Sequence, residues 1–313
     1  MTRAITYSAF GGPDVLTLTD VPASDPGPGQ LAVRIEAAGV NPIDGKLRSG
    51  LRPSGEISEP RRTGSDAAGI VTSVGEGAEG FRVGDAVVLF GASGTYADEV
   101  VVDAANAQPR PPEVSAAEGA AIGIPVGTAY QSLRSLAVGP SDTLLIHAGS
   151  GAVGQAAIQL AVLWGARVVA TASPRRFDRV RALGATPVAY GEGLAERVRD
   201  ATPDGITVAL DAAGTDEAIQ TSLELVADRD RIATIVRGRD AGSFGIRAFS
   251  GGSPEGLSPR QQEWRREAVP VAIALMAAGR FSVELGPSFA LADATQAHRA
   301  LESGTDGKIT LLP

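Results

Sequence analysis

Short apolar runs separated by turn residues make up the first 120 positions of the chain. The runs AITYSAF, VLTLTDV, LAVRIEAAGV, AGIVTSVG, DAVVLF and YADEVVVD alternate with the segments GGPD, SDPGPGQ, GEGAEGFRVGD and GASG. Strand-length runs bounded by Gly, Pro, Asp and Ser are typical of irregular all-β structure. This part of the chain is therefore predicted to be an all-β domain.

From about residue 123 the pattern changes to alternating strands and helices. The strand LLIHA precedes the helical run GAVGQAAIQLAVLWG, RVVATAS precedes RRFDRVRALG, and the later strands are TPVAY, TVALDAAG and RIATIVR. This alternation indicates a parallel sheet with crossover helices. The segment SGGSPEGLSPRQQ, residues 250–262, is predicted to be a loop, and a helix is predicted from about 263 to 278.

The domain plan is therefore a β-rich domain at 1–122, an inserted α/β domain at 123–260 and a C-terminal segment at 261–313. The net charge of −8 over 313 residues disfavours nucleic acid and anionic membranes as partners. The chain has no cysteine and only two histidines, His147 and His298, so no metal site is expected and both histidines are interpreted as structural. No leader-like or membrane-spanning run is visible, which predicts a cytoplasmic protein.

A glycine-rich turn follows the strand LLIHA and opens a helix of small residues, and it has the spacing GxGxxG. In that context the pattern is the dinucleotide-binding fingerprint, in which the glycines allow a tight turn, close approach of a pyrophosphate and helix packing. The alternative interpretation of this motif is a glycine-rich turn that binds no ligand. The residues predicted to bind the cofactor here are Gly149, Ser150, Gly151, Ala152, Val153 and Gly154.

The end of the second strand of this domain favours NADPH over NADH. An NAD site places an acidic residue roughly 20 positions after the turn, to bind the ribose 2′-hydroxyl. Here the strand RVVATAS ends at Ser173, and Arg175 and Arg176 follow, so a hydroxyl and two guanidinium groups stand where a 2′-phosphate would lie. A solvated helix start is the alternative for the arginines, and Tyr190 at the end of the next strand is a further candidate contact.

The chain resembles the zinc-independent, zeta-crystallin-like quinone oxidoreductases of the medium-chain dehydrogenase/reductase superfamily. The segments that carry the resemblance are AAGVNPIDGKLRSG, GSDAAGIVTSVGEG, FRVGDAVVLF, GTAYQSL, HAGSGAVGQAAIQLA and LADATQAHRALESGTDGKITLL. The resemblance implies a GroES-like β-rich catalytic domain, completed by the C-terminal segment, with an inserted Rossmann domain of doubly wound parallel sheet. It also implies an active site between these domains and a homodimer.

The resemblance further implies which residues serve the reaction. Zinc-using relatives place cysteine, histidine and cysteine where this chain has Asn41, Ser65 and Ile124. Asn41, Asp44 and Thr128 match catalytic positions near the nicotinamide, and Lys308 matches a position facing the cofactor. Turn formation by the NPID segment is the alternative role of Asn41 and Asp44, and a solvated loop lysine is the alternative for Lys308.

The expected function is metal-free hydride transfer from NADPH to a quinone or a similar conjugated carbonyl, with Asn41 or Thr128 stabilising the developing oxyanion. Lys46 and Arg52 stand where several members carry pocket tyrosines, so an acidic or phenolic acceptor is also considered. One alternative is an enoyl-thioester or alkenal double-bond reductase. An alternative of another class is a non-catalytic NADPH-binding sensor or scaffold.

Overall fold

The chain forms two compact units in a computed structural model that describes residues 1–249 and 255–313. We call Met1–Ile124 together with Val269–Pro313 the β unit, and Pro125–Ala268 the α/β unit. Both the β-rich region and the parallel α/β region expected from the sequence are present. Residues 250–254 of the predicted loop lie outside the described residues.

The β unit contains two sheets. Its strands are β1 Thr2–Tyr7, β2 Thr17–Val21, β3 Gln30–Gly39, β4 Arg61–Arg62, β5 Asp66–Val74, β6 Ala86–Leu89, β7 Glu99–Asp103, β8 Ala107–Pro109, β15 Leu285–Ala290 and β16 Lys308–Leu312. The smaller sheet has the order β2-β1-β4, and the larger has the order β15-β16-β3-β5-β6-β8, with β7 also paired to β3. One apolar core is formed by buried residues of β1, β3, β5, β6, β7, β8 and β16.

The C-terminal strand completes the larger sheet of the β unit. β16 pairs antiparallel with β3, placing Thr310 opposite Gly39 and Leu311 opposite Ala38. Helices α1 Pro42–Arg48, α2 Ala116–Gly119 and α10 Ala294–Glu302 also belong to this unit. The pairing brings Lys308, at the start of β16, close to the residues that follow β3.

The α/β unit is a parallel six-stranded sheet with the order β11-β10-β9-β12-β13-β14. Its strands are β9 Thr143–His147, β10 Arg167–Ala172, β11 Thr186–Ala189, β12 Val208–Asp211, β13 Ile232–Thr234 and β14 Arg247–Ala248. The helices that connect them are α4 Ala152–Leu163, α5 Phe177–Ala182, α6 Leu194–Ala201, α7 Asp216–Leu225 and α8 Ala241–Phe244. Every residue of β9 is buried, as expected for a central parallel strand covered on both faces.

The chain passes between the two units within α3 Gly123–Ser135 and α9 Pro259–Ala277. The prediction that the loop extends to Gln262 is wrong, because α9 already begins at Pro259. The Ser258 hydroxyl accepts the Gln261 backbone N–H, and the Gln261 side chain accepts the Ser258 N–H, which forms a capping box with Pro at the first helical position. The segment SPRQ, residues 258–261, has the sequence pattern of this capping box, but the glycines and prolines that precede it favour the prediction of a loop.

Within residues 1–249 and 255–313, no helix has the length and apolar character needed to cross a membrane.

Candidate functional site

The glycine turn of the α/β unit connects β9 directly to α4. Ala148 begins the turn with a φ of 59°, which is unusual for a residue with a side chain. A Cβ at Gly154 would lie 2.3 Å from the Ala148 carbonyl oxygen, so only glycine allows α4 to pack this closely on the strand. This is the third glycine of the fingerprint in the role that the sequence predicts for it.

The start of α4 is open at the position where a pyrophosphate would bind. Gly151 and Ala152 are exposed, and a Cβ at Gly151 would meet no heavy atom closer than 3.4 Å. The backbone N–H groups of a helix start favour an anion, and the missing side chain leaves room for it. These residues fit the phosphate groups of a dinucleotide cofactor.

The predicted 2′-phosphate contacts lie at the same edge of the sheet as this turn. Ser173 follows β10 and is half-buried, and Pro174–Arg176 forms a short 3-10 helix before α5. Tyr190 follows β11 and is 60% exposed. Because β9, β10 and β11 are adjacent and parallel, their carboxyl ends meet at one edge. The topology therefore brings together the cofactor residues predicted in the α/β unit.

Two side chains that the sequence reasoning missed connect the glycine turn to α5. The Gln155 amide donates to the Ser150 carbonyl at 2.8 Å, and its oxygen accepts Arg179 Nε at 2.8 Å. Arg179 is thus a third arginine at this edge. In the sequence, Arg179 can be identified as a candidate cofactor contact because it follows Arg175 and Arg176 by about one helical turn.

Thr128 lies in α3 within the α/β unit and is buried. Its hydroxyl oxygen accepts Arg265 Nη2 at 3.0 Å. A hydroxyl that accepts one hydrogen bond keeps its own hydrogen for another partner, so this contact leaves the predicted donor role of Thr128 chemically open.

Asn41 in the β unit is held by partners on three sides. Its amide nitrogen donates to the Asp66 carboxylate at 3.0 Å and to the Gly39 carbonyl at 3.3 Å, and its amide oxygen accepts the Lys308 ammonium. Asp66 also accepts the backbone N–H of Ile124 at 2.8 Å. A carboxylate facing the nitrogen and an ammonium facing the oxygen fix the orientation of the amide, and both of its hydrogens are engaged.

Asp44 adjoins Asn41 on α1 and binds a different set of donors. Its Oδ2 accepts the Asn41 backbone N–H and the Tyr96 hydroxyl, each at 2.9 Å. Its Oδ1 accepts the Ser65 hydroxyl at 3.4 Å. The NPID segment, considered above as a turn, is thus the start of a helix, in which the Asp44 side chain caps the first turn and the Asn41 side chain turns away toward Asp66.

A glycine makes room for this cluster. Gly64 has a φ of +97°, and a Cβ there would lie 2.3 Å from the Tyr96 ring and 2.5 Å from the Thr95 hydroxyl. The ring can therefore press against the backbone just before Ser65.

We call Asn41, Asp44, Ser65, Asp66, Tyr96 and Lys308 the buried polar cluster.

Burial changes the acidity of the ionisable groups in this cluster. The pKa of Asp44 is raised to about 6, chiefly because burial penalises the carboxylate, although the Asn41 and Tyr96 donors and the Lys308 charge oppose the shift. Burial lowers the pKa of Lys308, against the attraction of Asp66 and Asp44. The pKa of Tyr96 is raised well above its usual value by burial and by Asp44. Asp44 therefore changes its protonation state near pH 6.

The positions that hold zinc ligands in zinc-using relatives are joined here by hydrogen bonds. The Asn41 side chain and the Ile124 backbone both bind Asp66, and Ser65 binds Asp44. An amide, a hydroxyl and an aliphatic side chain supply neither the thiolate nor the imidazole that zinc prefers, so these residues do not fit a zinc ion. Across the described parts of the chain, no group of three or more His, Asp or Glu residues is arranged to hold a metal.

Both histidines are buried and have lowered pKa values of about 4. His147 ends β9 and contacts the Ser222 hydroxyl at 3.1 Å through Nε2. His298 lies in α10, where its Nδ1 is 2.9 Å from Arg48 Nη1. Because burial dominates both shifts, these are neutral imidazoles in polar contacts, in keeping with the structural role expected for them.

Comparison with known proteins identifies the class to which this fold and these motifs belong. The family model described as "Alcohol dehydrogenase GroES-like domain" matches residues 27–112, and the one described as "Zinc-binding dehydrogenase" matches residues 152–249. The fold is therefore a GroES-like domain with a Rossmann-like parallel sheet, as in medium-chain dehydrogenases/reductases, and the fold-class prediction is confirmed.

Similar proteins narrow the class to one family. A quinone-oxidoreductase homolog from the chloroplast of Spinacia oleracea is 41% identical over 197 residues, which are 59% of this chain and 60% of that protein. A phthioceranic/hydroxyphthioceranic acid synthase of Mycobacterium tuberculosis is 34% identical over 301 residues, which are 91% of this chain and only 14% of the synthase. The matched regions thus span less than two thirds of either relative.

Two solved structures cover the chain nearly completely. A mycobacterial quinone oxidoreductase has a TM-score of 0.82 and 30% identity, with all of both chains covered. The Escherichia coli quinone oxidoreductase complexed with NADPH has a TM-score of 0.84 and 28% identity, covering 99% of this chain and 100% of the other. The chain belongs to the quinone oxidoreductase family of the medium-chain dehydrogenase/reductase superfamily.

Proposed function

We propose that this protein is an NADPH-dependent, metal-free oxidoreductase that reduces a quinone or a similar conjugated carbonyl. The observation that carries the proposal is the edge of the parallel sheet in the α/β unit. There an exposed helix start follows a glycine turn, and Ser173, Arg175 and Arg176 follow the adjacent strand in place of an acidic residue. The similar Escherichia coli structure, which contains NADPH, supports the same cofactor.

In this proposal the α/β unit binds the cofactor by its phosphates. The turn from Gly149 to Gly154 binds the pyrophosphate, Ser173 and the two arginines bind the 2′-phosphate, and Tyr190 lies beside them. When bound, NADPH supplies a hydride to the acceptor. Asn41, Asp44, Thr128 and Lys308 are proposed to line the reacting groups. No zinc is needed, because hydrogen-bond donors can stabilise the negative charge that develops on the acceptor oxygen.

An enoyl-thioester or alkenal reductase remains a second candidate, and one comparison favours it. The match to the phthioceranic/hydroxyphthioceranic acid synthase extends over 91% of this chain, further than the match to the spinach homolog. The same cofactor and fold serve both reactions, so the acceptor alone separates them.

The deciding experiment follows the consumption of NADPH or NADH with an ortho-quinone, a para-quinone and an α,β-enone. Rapid quinone turnover with NADPH is expected. Turnover with the enone only would assign the protein to double-bond reduction. Tight NADPH binding with no turnover would refute the oxidoreductase proposal in favour of a sensor or scaffold.

Cofactor choice is tested with the double variant Arg175→Ala/Arg176→Ala. Each charge-assisted bond to a phosphate is worth about 1.5–3 kcal/mol, so the NADPH KM should rise at least about tenfold while the NADH KM changes little. Arg181→Ala is the control, because Arg181 lies on α5 beyond the strand end and pairs with Asp178. Equal losses for NADPH and NADH, or an equal loss in the control, would contradict the assignment.

We further propose the finer features that the sequence pattern and the resemblance predict. They are a homodimer, a cytoplasmic location, and a catalytic domain formed by residues 1–122 and 261–313 around a cofactor domain at 123–260. Light scattering after size-exclusion chromatography tests the subunit count directly.

A further inference from the structure

The buried polar cluster has one member that is not fully buried. Asn41, Asp44, Asp66 and Tyr96 are at most 1% exposed and Lys308 is 5% exposed, whereas Ser65 is half-buried. Its hydroxyl is also the group that contacts Asp44 Oδ1 at 3.4 Å. Ser65 therefore connects a buried carboxyl group to the more accessible side of the cluster.

The hydrogen bonds decide which oxygen of Asp44 carries the proton in its acid form. Oδ2 already accepts two hydrogens, from the Asn41 backbone and from Tyr96. The acid hydrogen therefore lies on Oδ1, which faces Ser65. Once Oδ1–H donates to Ser65 Oγ, the serine hydrogen must point to another acceptor, because a hydroxyl has only one hydrogen.

The side chains of Asn41 and Lys308 are committed to contacts that do not involve Asp44. Both amide hydrogens of Asn41 bind Asp66 and Gly39, and the Lys308 ammonium binds the Asn41 oxygen. This leaves Asp44 with two hydroxyl partners, Tyr96 and Ser65, through which a proton can move without first breaking an amide or ammonium contact. Tyr96 is fully buried, so of these two hydroxyls Ser65 is the one with access to the outside of the cluster.

We propose that Ser65 donates a proton to the acceptor oxygen and is reprotonated by Asp44. The inference rests on the proposed function and supplies the acid that its reaction needs. An acceptor that gains a hydride at carbon is reduced by two electrons and becomes an oxyanion. The Ser65 Oγ–H bond then breaks as the acceptor O–H bond forms, and the Asp44 Oδ1–H bond breaks as the Ser65 Oγ–H bond is restored. Asp44 regains its proton from solvent after the product leaves.

The surroundings of Asp44 allow it to hold and release this proton near neutral pH. Burial raises its pKa to about 6, and the negative charge of Asp66 on β5 adds to the rise. Lys308 on β16, the Tyr96 hydroxyl and the Asn41 backbone oppose it. Asp66 and Lys308 bind the side-chain amide of Asn41 and so hold this residue in place, and the backbone N–H of Asn41 binds Asp44. Asp66 and Lys308 are therefore positioning residues.

The test compares Ser65→Ala with Ser65→Thr and uses Ser73→Ala as the matched control. Ser73 is half-buried and lies on β5, the strand that begins directly after Ser65. We expect Ser65→Ala to lower kcat by about 100-fold or more, with the NADPH Kd unchanged and the solvent deuterium isotope effect altered, because general acid catalysis contributes at this level. Ser65→Thr should restore most of the activity. In the wild type, kcat should fall as pH rises through about 6, and Ser65→Ala should remove that dependence.

A second readout does not depend on turnover. The infrared stretch of a protonated carboxyl group should titrate near pH 6 in the protein without acceptor, be absent in Asp44→Asn and shift in Ser65→Ala. If Ser65→Ala matches Ser73→Ala in kcat, pH profile and isotope effect while the wild type reduces its acceptor, the relay is refuted and the proposed function stands. If the band survives in Asp44→Asn, or is unmoved in Ser65→Ala, the pairing itself is refuted. If no acceptor is reduced by the wild type, the proposed function fails and the relay fails with it.

Discussion

Arg48 is expected to fix the C-terminal helix α10 to α1, and Arg48→Met should measurably destabilise the β unit. The Arg48 side chain is 3% exposed. Its guanidinium donates to the Gly11 carbonyl at 3.1 Å, contacts His298 Nδ1 at 2.9 Å and donates to Glu302 at 2.7 Å. Methionine retains most of the apolar stem and removes all three contacts.

The expected cost follows from the burial of each partner. The Glu302 side chain is 49% exposed, so water replaces that contact and it adds little. The Gly11 carbonyl and the His298 nitrogen are more enclosed, and leaving such a group without a partner costs about 1–3 kcal/mol. The free energy of unfolding should therefore fall by about 2–6 kcal/mol.

Urea denaturation of Arg48→Met and Arg3→Met measures this effect. Both substitutions remove one positive charge, but Arg3 is an exposed residue paired with Asp98, so its replacement should leave the midpoint almost unchanged. Both tryptophans, Trp164 and Trp264, lie in the α/β unit, so circular dichroism must accompany tryptophan fluorescence to detect unfolding of the β unit. A shift for Arg48→Met no larger than that for Arg3→Met would refute the reasoning.

Three further outcomes are expected. First, because burial and the adjacent guanidinium lower the pKa of His298 to about 4, the unfolded chain gains a proton before the folded one as pH falls. The contribution of His298 to the free energy of unfolding is complete above about pH 6.5 and is lost as the pH falls toward 4. The urea midpoint of His298→Gln should therefore decline less steeply in acid than that of the wild type. Equal slopes for the two proteins would contradict this. Second, Gly151→Ala should weaken NADPH binding in calorimetry and leave the melting temperature unchanged, since its Cβ has 3.4 Å of clearance. Gly154→Ala should lower the melting temperature as well, because its Cβ would lie 2.3 Å from backbone, and Gly139→Ala, with nothing within 4 Å, is the control for both. Third, Thr128→Val should cost about 1 kcal/mol in urea denaturation through its lost contact with Arg265, and Thr128→Ser should cost less; equal losses would show that the hydroxyl does not matter.

Local patterns were sufficient to predict the α/β unit because its signals are short in range. The strand LLIHA, the glycine turn and the small-residue helix are continuous in sequence, and each strand end carries its own candidate residues. Parallel pairing of neighbouring strands then brings Ser173, Tyr190 and the glycine turn to one edge. The boundary of α9 was missed because its capping box lies inside a segment rich in glycine and proline.

The buried polar cluster could not be assembled from local patterns. Asn41 and Lys308 are 267 positions apart, and they meet only because the last strand of the chain pairs with β3. Neither residue type signals such a partner, since asparagine before proline is equally typical of a turn and lysine after glycine of a loop. The resemblance placed both residues near the cofactor and gave no indication that they bind each other.

The residues that replace the zinc ligands of zinc-using relatives make specific contacts of their own. In sequence, Asn41, Ser65 and Ile124 only mark positions without a thiolate or imidazole. In the structure, two buried carboxylates join those positions: Asp66 binds the first and the third, and Asp44 binds the second. Two carboxylates and one ammonium in a buried site carry a net negative charge, which burial disfavours, and protonation of Asp44 removes that charge. A site whose residues do not fit a metal cation is thus stabilised by holding a proton on Asp44, and in the proposed reaction the oxyanion left by hydride transfer takes up a proton to give the reduced product.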